Sequence, residues 1–330
     1  MTQEAWHGAV LRATKAKSAK QIAIIQTLWS GYGEIVRVAL SGTDIPSCIV
    51  KYIRPMTDND HPRGWNTDFG HQRKLKSYEI ESYWYDNWAQ RCDDSCRVPN
   101  VYAVEHIEGK TMLVLEDVDA SGYPLRYSTL KPNQSLSCIR WLAYFHALFV
   151  NEQPEGLWSV GSYWHLATRP DEFKAMLAGP IKDAAITLDK ILNKCRYQTV
   201  IHGDAKLANF CFSKNGNGIA AVDFQYVGGG CGMKDLAYFI GSCLDAKQCH
   251  DYEAQLLDYY FYELRSALRH YDKHIDADKL ELEWRELYAI AWTDFTRFLL
   301  GWMPNHRKLN SYTKAKADQA LQQIEGTINY

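Results

Sequence analysis

No stretch of this sequence approaches the roughly 20 consecutive apolar residues that span a bilayer. The longest apolar candidates, Ile22–Trp29 and Ala289–Met303, are too short or carry Asp294 and Arg297. The first residues, Met1 to Lys20, are polar and interrupted by Lys15, Lys17 and Lys20, unlike a secretory leader. Charge of one sign is also missing. Lys and Arg number 37 against 39 Asp and Glu, a formal net charge of -2, which removes the electrostatic footprint of a general nucleic-acid binder. A small local basic pocket for phosphate is still allowed. The nine cysteines lack the paired spacing of a zinc site. Cys92 and Cys96 are four apart, and Cys243 and Cys249 only lie near His250. Reduced thiols of a cytoplasmic protein are the expectation. No solenoid repeat or low-complexity tract interrupts the chain. No G-x-G-x-x-G follows a strand and opens a helix, which argues against a dinucleotide-dependent oxidoreductase.

What is present is a chain of 330 residues, longer than one hydrophobic core usually organises. Aromatic residues reach 13%, and Trp (11) with Tyr (21) outweigh Phe (11). Trp and Tyr carry a polar handle and suit pocket walls as well as cores. The first third reads as β structure: Gln21–Trp29, Glu34–Leu40 and Ser47–Ile53 are rich in branched residues, and Val101–Val104 and Thr111–Leu115 follow. Arg54–His71 collects Pro, Asp, Asn and Gly and reads as a long loop, followed by a helix over Gln72–Gln90. After Asp117 the pattern becomes helical, over Gln134–Val150, Asp171–Cys195, Asp251–Tyr271 and Lys279–Trp302. The reading is α+β with two lobes, an antiparallel-sheet lobe over 1–116 and a mostly helical lobe over 117–330.

The most informative segment is Val200–Phe224. It holds His202-Gly203-Asp204, then Asn209, then Asp223, with two apolar runs flanking the turn Lys214–Gly218. Asn-Gly at such a turn is a strong hairpin signal. The hairpin would bring Asn209, just before its first strand, near Asp223, just after its second. An amide carbonyl beside a carboxylate offers hard oxygen ligands suited to Mg²⁺ with nucleotide phosphates.

His202-Gly203-Asp204 with Asn209, then Asp223-Phe224-Gln225 and Asp235-Leu236-Ala237-Tyr238-Phe239, resembles the catalytic and metal-binding segments of protein-kinase-like small-molecule phosphotransferases. The resemblance is to the aminoglycoside phosphotransferase and choline kinase group, and within it to the ecdysteroid-kinase-like branch. It implies a two-lobed protein-kinase-like fold and transfer of the γ-phosphoryl group of ATP to a hydroxyl of a small organic acceptor. Asp204 would be the base, and Asn209 and Asp223 the Mg²⁺ ligands. A kinase fold needs a strand lysine on the phosphates and a helix glutamate to hold it. Lys51 lies inside an apolar strand run, where an unpaired ammonium is costly. Glu79 and Glu81 of the following helix are its rival partners, and Glu81, followed four residues later by Tyr85, matches the family. Gly31 and Gly33 sit where the phosphate-covering loop is expected, although Val36 replaces the third glycine. Glu116 and Val118 sit at the implied hinge, where adenine would bond to backbone groups. Lys206 is read as an electrostatic partner of the γ-phosphate, and His202 and Asp235 as the scaffold of the Asp204 loop.

Only eleven residues separate Asp223 from Asp235, five of them the small run Gly228–Gly232, and the Ala-Pro-Glu anchor of protein kinases is missing. The acceptor is therefore expected to be a small molecule, with the glycines making a tight turn or admitting close substrate approach. Trp284, Tyr288, Trp292, Phe295 and Trp302 recur near helical spacing with Asp294 among them. They read either as core or as a pocket wall, for a cationic amine or for a flat apolar ring. The rival in function is a nucleotide-binding pseudokinase acting as a regulatory module.

Overall fold

The computed structural model describes residues 4–28, 31–54, 68–107 and 109–328. In chain order the first part contains helix α1 (Glu4–Thr14), strands β1 (Ser18–Thr27), β2 (Gly33–Ser41) and β3 (Ser47–Ile53), helix α2 (Asp68–Asn87), and strands β4 (Val101–Ile107) and β5 (Lys110–Glu116). The second part begins with helices α3 (Pro132–Leu148), α4 (Pro170–Ala175), α5 (Pro180–Asp183) and α6 (Ala185–Lys194). Short strands β6 (Thr199–Ile201), β7 (Phe210–Phe212), β8 (Ile219–Ala221) and β9 (Gly228–Gly230) follow. Helices α7 (Met233–Cys243), α8 (Ala246–His270), α9 (Ala277–Trp302) and α10 (Ser311–Ile328) complete the chain. An antiparallel sheet followed by a mostly helical part is the fold class expected from the sequence. The chain divides into two compact units, Met1–Leu125 with Cys211–Gln225, and Arg126–Phe210 with Tyr226–Tyr330.

In the first unit the sheet runs β1-β2-β3-β5-β4, every neighbouring pair antiparallel. β3 is the central strand. Its alternation sends Cys48, Val50 and Tyr52 into a core with Val36, Val38, Met112 and Val114, closed by Trp6, Ala9 and Val10 of α1. Ile53, on the opposite face with Lys51, packs against Tyr78 of α2. The helix α1 was not visible in the sequence, where Met1 to Lys20 reads as polar. The β1 strand begins three residues earlier than expected, and α2 begins at Asp68, inside the expected loop. The rest of that loop, residues 55–67 with Trp65, lies outside the described residues, as do Trp29 and Ser30.

The expected hairpin is present. Ser213 N–H donates to Gly218 carbonyl at 2.9 Å, and Gly218 N–H donates to Ser213 Oγ at 2.8 Å across the Asn-Gly turn. On the first unit's side, Leu125 and Phe212 exchange backbone bonds of 3.0 and 2.9 Å.

In the second unit α3 packs against α8, and α9 against α7, α6 and α10. Two expectations are corrected here. Asp171–Cys195 is three helices rather than one, because Pro180 follows Gly179 and supplies no N–H to continue a helix. Gly228–Gly230 forms a strand paired with β6, rather than a tight turn. A Cβ on Gly228 would stand 2.2 Å from the Trp158 carbonyl oxygen, so the glycine there admits another backbone. Trp284, Tyr288, Trp292 and Phe295 are all buried, so that part of the aromatic stripe of α9 is core, while Trp302 is half-buried. All nine cysteines are free thiols.

Candidate active site

Within the first unit, strand alternation turns Lys51 toward α2, and helical spacing sets Ser77, Glu81 and Tyr85 on one side of that helix. Lys51 is 3% exposed and Glu81 2%, while Glu79 is exposed. Lys51 Nζ stands 2.6 Å from Glu81 Oε2 and 3.7 Å from Asp223 Oδ1. Burial works against the Lys51 charge, but the Glu81 and Asp223 carboxylates outweigh it and raise the ammonium pKa above its ordinary value. Asp223 occupies the left-handed region, with φ of 69°, a conformation that costs a non-glycine residue of order 1 kcal/mol or more. Its neighbour Phe224 pins the segment to α2. The Phe224 ring stacks on Trp84 at 4.7 Å and meets Tyr85 edge-on at 6.0 Å.

Gln225 was quoted in the sequence motif without a role, and Lys74 was not singled out. Gln225 Nε2 donates to Asp223 Oδ1 at 2.6 Å, and Lys74 Nζ donates to Gln225 Oε1 at 2.6 Å. Together they fix the Asp223 side chain at Oδ1, the same oxygen that faces Lys51. An Asp-Phe-Gln whose glutamine follows a carboxylate by two residues is the signal that pointed there.

Gly33 opens β2 opposite Ile53, and its carbonyl accepts from Leu28 N–H at 2.8 Å. Gly31 N–H donates to Leu28 carbonyl at 3.3 Å. Glu116 ends β5 with its carboxylate taken by Arg97 at 2.5 Å and by Asn100 N–H at 2.9 Å. The Glu116 N–H is bonded to Asn100 carbonyl at 2.8 Å, and the Val118 carbonyl accepts from Tyr123 N–H at 2.9 Å.

Within the second unit, the Asp204 loop is built by buried polar groups. Asp235 Oδ2 accepts from His202 N–H at 2.6 Å and Oδ1 accepts from Gly203 N–H at 3.0 Å. His146 Nε2 donates to the same carboxylate at 3.2 Å, and Tyr260 hydroxyl lies 2.7 Å from His146 Nδ1. His202 Nδ1 in turn accepts from Asp204 N–H at 3.2 Å. Gly203 takes φ of 76°, and a Cβ there would stand 2.0 Å from the Tyr226 carbonyl oxygen, so only glycine fits. His202 and Asp235 are thus scaffold, as expected.

The loop presents Asp204, 6% exposed, with Asn209 beside it. Asn209 Nδ2 donates to Asp204 Oδ2 at 3.1 Å and to its backbone carbonyl at 2.8 Å. Lys206 Nζ pairs with Asp204 Oδ2 at 2.6 Å. Tyr163 and Tyr238 face the same carboxylate, and burial first, with Asp204 adding to it, pushes both phenols above their ordinary pKa. Neither tyrosine was singled out from its own chemistry in the sequence, since nothing local distinguishes Tyr163, and Tyr238 appears only inside Asp-Leu-Ala-Tyr-Phe.

The Asp204 loop, Asp223 and Asp235 all fall inside one region of family likeness. Residues 159–273 match the ecdysteroid kinase-like family. Lys51 and Glu81 lie outside the matched region. No curated protein matches the chain. Among solved structures, Plasmodium vivax ethanolamine kinase is 10% identical with a TM-score of 0.49, over 96% of this chain and 85% of that one. A putative fructosamine-3-kinase from Haemophilus somnus is 13% identical with a TM-score of 0.44, over 96% and 95%. A thermostable mutant of an aminoglycoside phosphotransferase, in ternary complex with ADP and hygromycin B, is 12% identical with a TM-score of 0.48, over 96% and 97%. Among the described residues no helix is long and apolar enough to cross a membrane.

Proposed function

We propose that this chain transfers the γ-phosphoryl group of ATP to a hydroxyl of a small organic molecule. The observation that supports it most is the central-strand Lys51, buried and shared between Glu81 at 2.6 Å and Asp223 at 3.7 Å. A buried ammonium held by one helix carboxylate and facing a second, half-exposed one is poised for phosphate oxygens. Glu81 fixes the lysine, and Gly31 and Gly33 would let backbone approach the phosphates. Glu116 and Val118 mark where adenine would sit, through the backbone groups not already engaged there.

Asp204 would orient the acceptor hydroxyl and take its proton as the O–P bond forms and the bond to the ADP leaving oxygen breaks. The Lys206 ion pair brings a positive charge to the Asp204 carboxylate. Asn209 suits a divalent cation: its amide nitrogen is spent on Asp204, and its carbonyl oxygen, among the described residues, makes no hydrogen bond. Asn209 and Asp223 would hold Mg²⁺, which when bound with ATP neutralises charge on the phosphates. Among the described residues there is no cluster of three or more His, Cys, Asp or Glu for a metal, so the ion would depend on the nucleotide for its other ligands. Most of the rate gain is then positioning and charge neutralisation.

The second reading is a nucleotide-binding pseudokinase, favoured by the 2.6 Å Lys206–Asp204 contact that engages the candidate base. Asp204→Asn separates the two. With an acceptor present, the enzyme reading expects a fall in phosphoryl transfer of about 10²–10⁴-fold with ATP·Mg²⁺ binding kept. Wild-type protein that binds ATP·Mg²⁺ and phosphorylates no hydroxyl compound would favour the regulatory module.

A further inference from the structure

The second unit carries a cation that no catalytic role above uses. Lys308 lies in the link between α9 and α10, with Nζ 4.8 Å from the Tyr238 ring centroid and 5.3 Å from that of Phe295. Among the described residues its ammonium makes no hydrogen bond and no ion pair. Burial first, and then the neighbouring Arg307, lower its pKa to about 8, against the opposing pull of Cys243 and Asp204. Tyr238 links it to the chemistry, because its hydroxyl lies 3.4 Å from that of Tyr163 and, after burial, the Asp204 charge raises the pKa of both phenols. The Asp204 charge therefore acts on both Tyr238 and Lys308.

Lys308 also lines a cavity of about 610 Å³ with Arg307, Lys131, Leu244 and Trp292. The acid in that wall, Asp245, is the N-cap of α8 and already accepts from Gln248 N–H at 2.8 Å. The floor adjoins the Asp204 loop, since Ser242 Oγ accepts from Leu207 N–H at 2.8 Å.

This arrangement bears on the acceptor's charge. The aromatic faces of Tyr238 and Phe295, which would take a cationic amine, already carry the Lys308 ammonium. Asp294, the carboxylate that would pair such an amine, is buried and taken by Arg297 at 2.9 Å and by Trp164 Nε1 at 3.1 Å. A second cation entering would meet repulsion without a partner. An anion would complete a half-buried ammonium that lacks one.

We propose that the acceptor bears, beside its hydroxyl, an anionic oxo group, a carboxylate or sulfate, and that Lys308, with Arg307 and Lys131 in the same cavity, binds that group. The proposal rests on the phosphotransfer reading in treating the ligand as an acceptor. The test is equilibrium binding, by intrinsic tryptophan fluorescence with a non-hydrolysable ATP analogue and Mg²⁺ present. The probes are hydroxylated bile, fatty and sugar acids, each paired with its primary amide, and a sterol sulfate paired with its free sterol. The anion of at least one pair should bind ten-fold or more tightly than its neutral twin, a difference of about 1.4 kcal/mol. Lys308→Met should bring that ratio close to one without weakening the twin, while Lys308→Arg should keep it. Anions that bind no tighter than their neutral twins, whether both bind or neither does, overturn the proposal, as does an unchanged ratio in Lys308→Met. The phosphotransfer reading fails separately: a charge-selective site with no phosphorylated product leaves the anion site standing. Phosphorylation of cationic or neutral acceptors alone overturns the anion site and leaves phosphotransfer standing.

Discussion

Replacing Asp235 by Asn probes the clamp that gives the Asp204 loop its shape. The substitution keeps the side-chain volume and removes one acceptor and the charge. In the wild-type protein the carboxylate receives His202 N–H at 2.6 Å, Gly203 N–H at 3.0 Å and His146 Nε2–H at 3.2 Å, with Asp235, His202 and His146 fully buried. The Asn carbonyl oxygen keeps one backbone donor. Its NH₂ then faces another donor, which leaves a buried N–H without an acceptor. Loss of a charge-assisted bond costs about 1.5–3 kcal/mol, and the stranded donor about 1–3 kcal/mol more. The sum, of order 3–5 kcal/mol, is a large fraction of a typical domain's stability. Two assays read it. Urea unfolding gives the stability change, and hydrogen exchange with mass spectrometry reports protection of the 202–204 amides directly. We expect lost protection there and a fall of at least 2 kcal/mol, about the low end of that range. Wild-type protection in the variant, with stability changed by less than about 1 kcal/mol, would refute the reasoning.

Three further outcomes follow from the same geometry. Gly203→Ala places a Cβ 2.0 Å from the Tyr226 carbonyl oxygen at a φ of 76°, so a loss of about 2 kcal/mol or more is expected in thermal unfolding, where a surface Gly→Ala elsewhere would change little. Glu81→Gln should weaken ATP·Mg²⁺ binding at least ten-fold in a thermal-shift titration, about 1.4 kcal/mol, while exposed Glu79→Gln should leave it unchanged. Equal effects of the two would contradict the assigned pair. Lys308 supplies a pH dependence of stability. Its folded-state pKa of about 8 lies below the ordinary 10.5, so between those values the unfolded chain holds the proton and the native state does not, and stability rises with pH there. Below pH 8 the cost of burying the charge is fully present. Lys308→Met should therefore be the more stable protein at pH 7, by at most about 3 kcal/mol before solvent screening. The two should converge toward pH 10.5, and a gap that stays constant over that range would contradict the assignment.

Much of this fold was legible because the local signals and the tertiary fold agree. The β2 and β3 runs alternate as a half-buried sheet demands, and Asn-Gly at 215–216 closes the hairpin it announces. Lys51 was legible for the opposite reason, as a charge in an apolar run that must find a partner. The misses share one cause, which is that their signals are set by distant residues. Helix α1 is recognised only by the sheet face that Trp6 and Val10 cover. Gly228–Gly230 suggested a turn because nothing in the sequence shows Trp158 arriving against its backbone. Helical spacing could not tell a pocket wall from core for Trp284–Phe295; burial places all four in the core, and Trp292 also borders a cavity. Lys308 carries no motif at all. Its setting exists only once the link after α9 folds over the Tyr238 and Phe295 rings.

The central claim is phosphoryl transfer from ATP to a small-molecule hydroxyl, and product mass tests it most directly. The purified chain is incubated with ATP, Mg²⁺ and a broad library of hydroxyl compounds, anionic members included, and each product is read by mass spectrometry against Asp204→Asn. The account predicts at least one compound that gains a single phosphoryl group, with formation slowed by about 10²-fold or more in the variant. Product formed equally fast by Asp204→Asn, or no phosphorylated compound from protein that binds ATP·Mg²⁺, would contradict it.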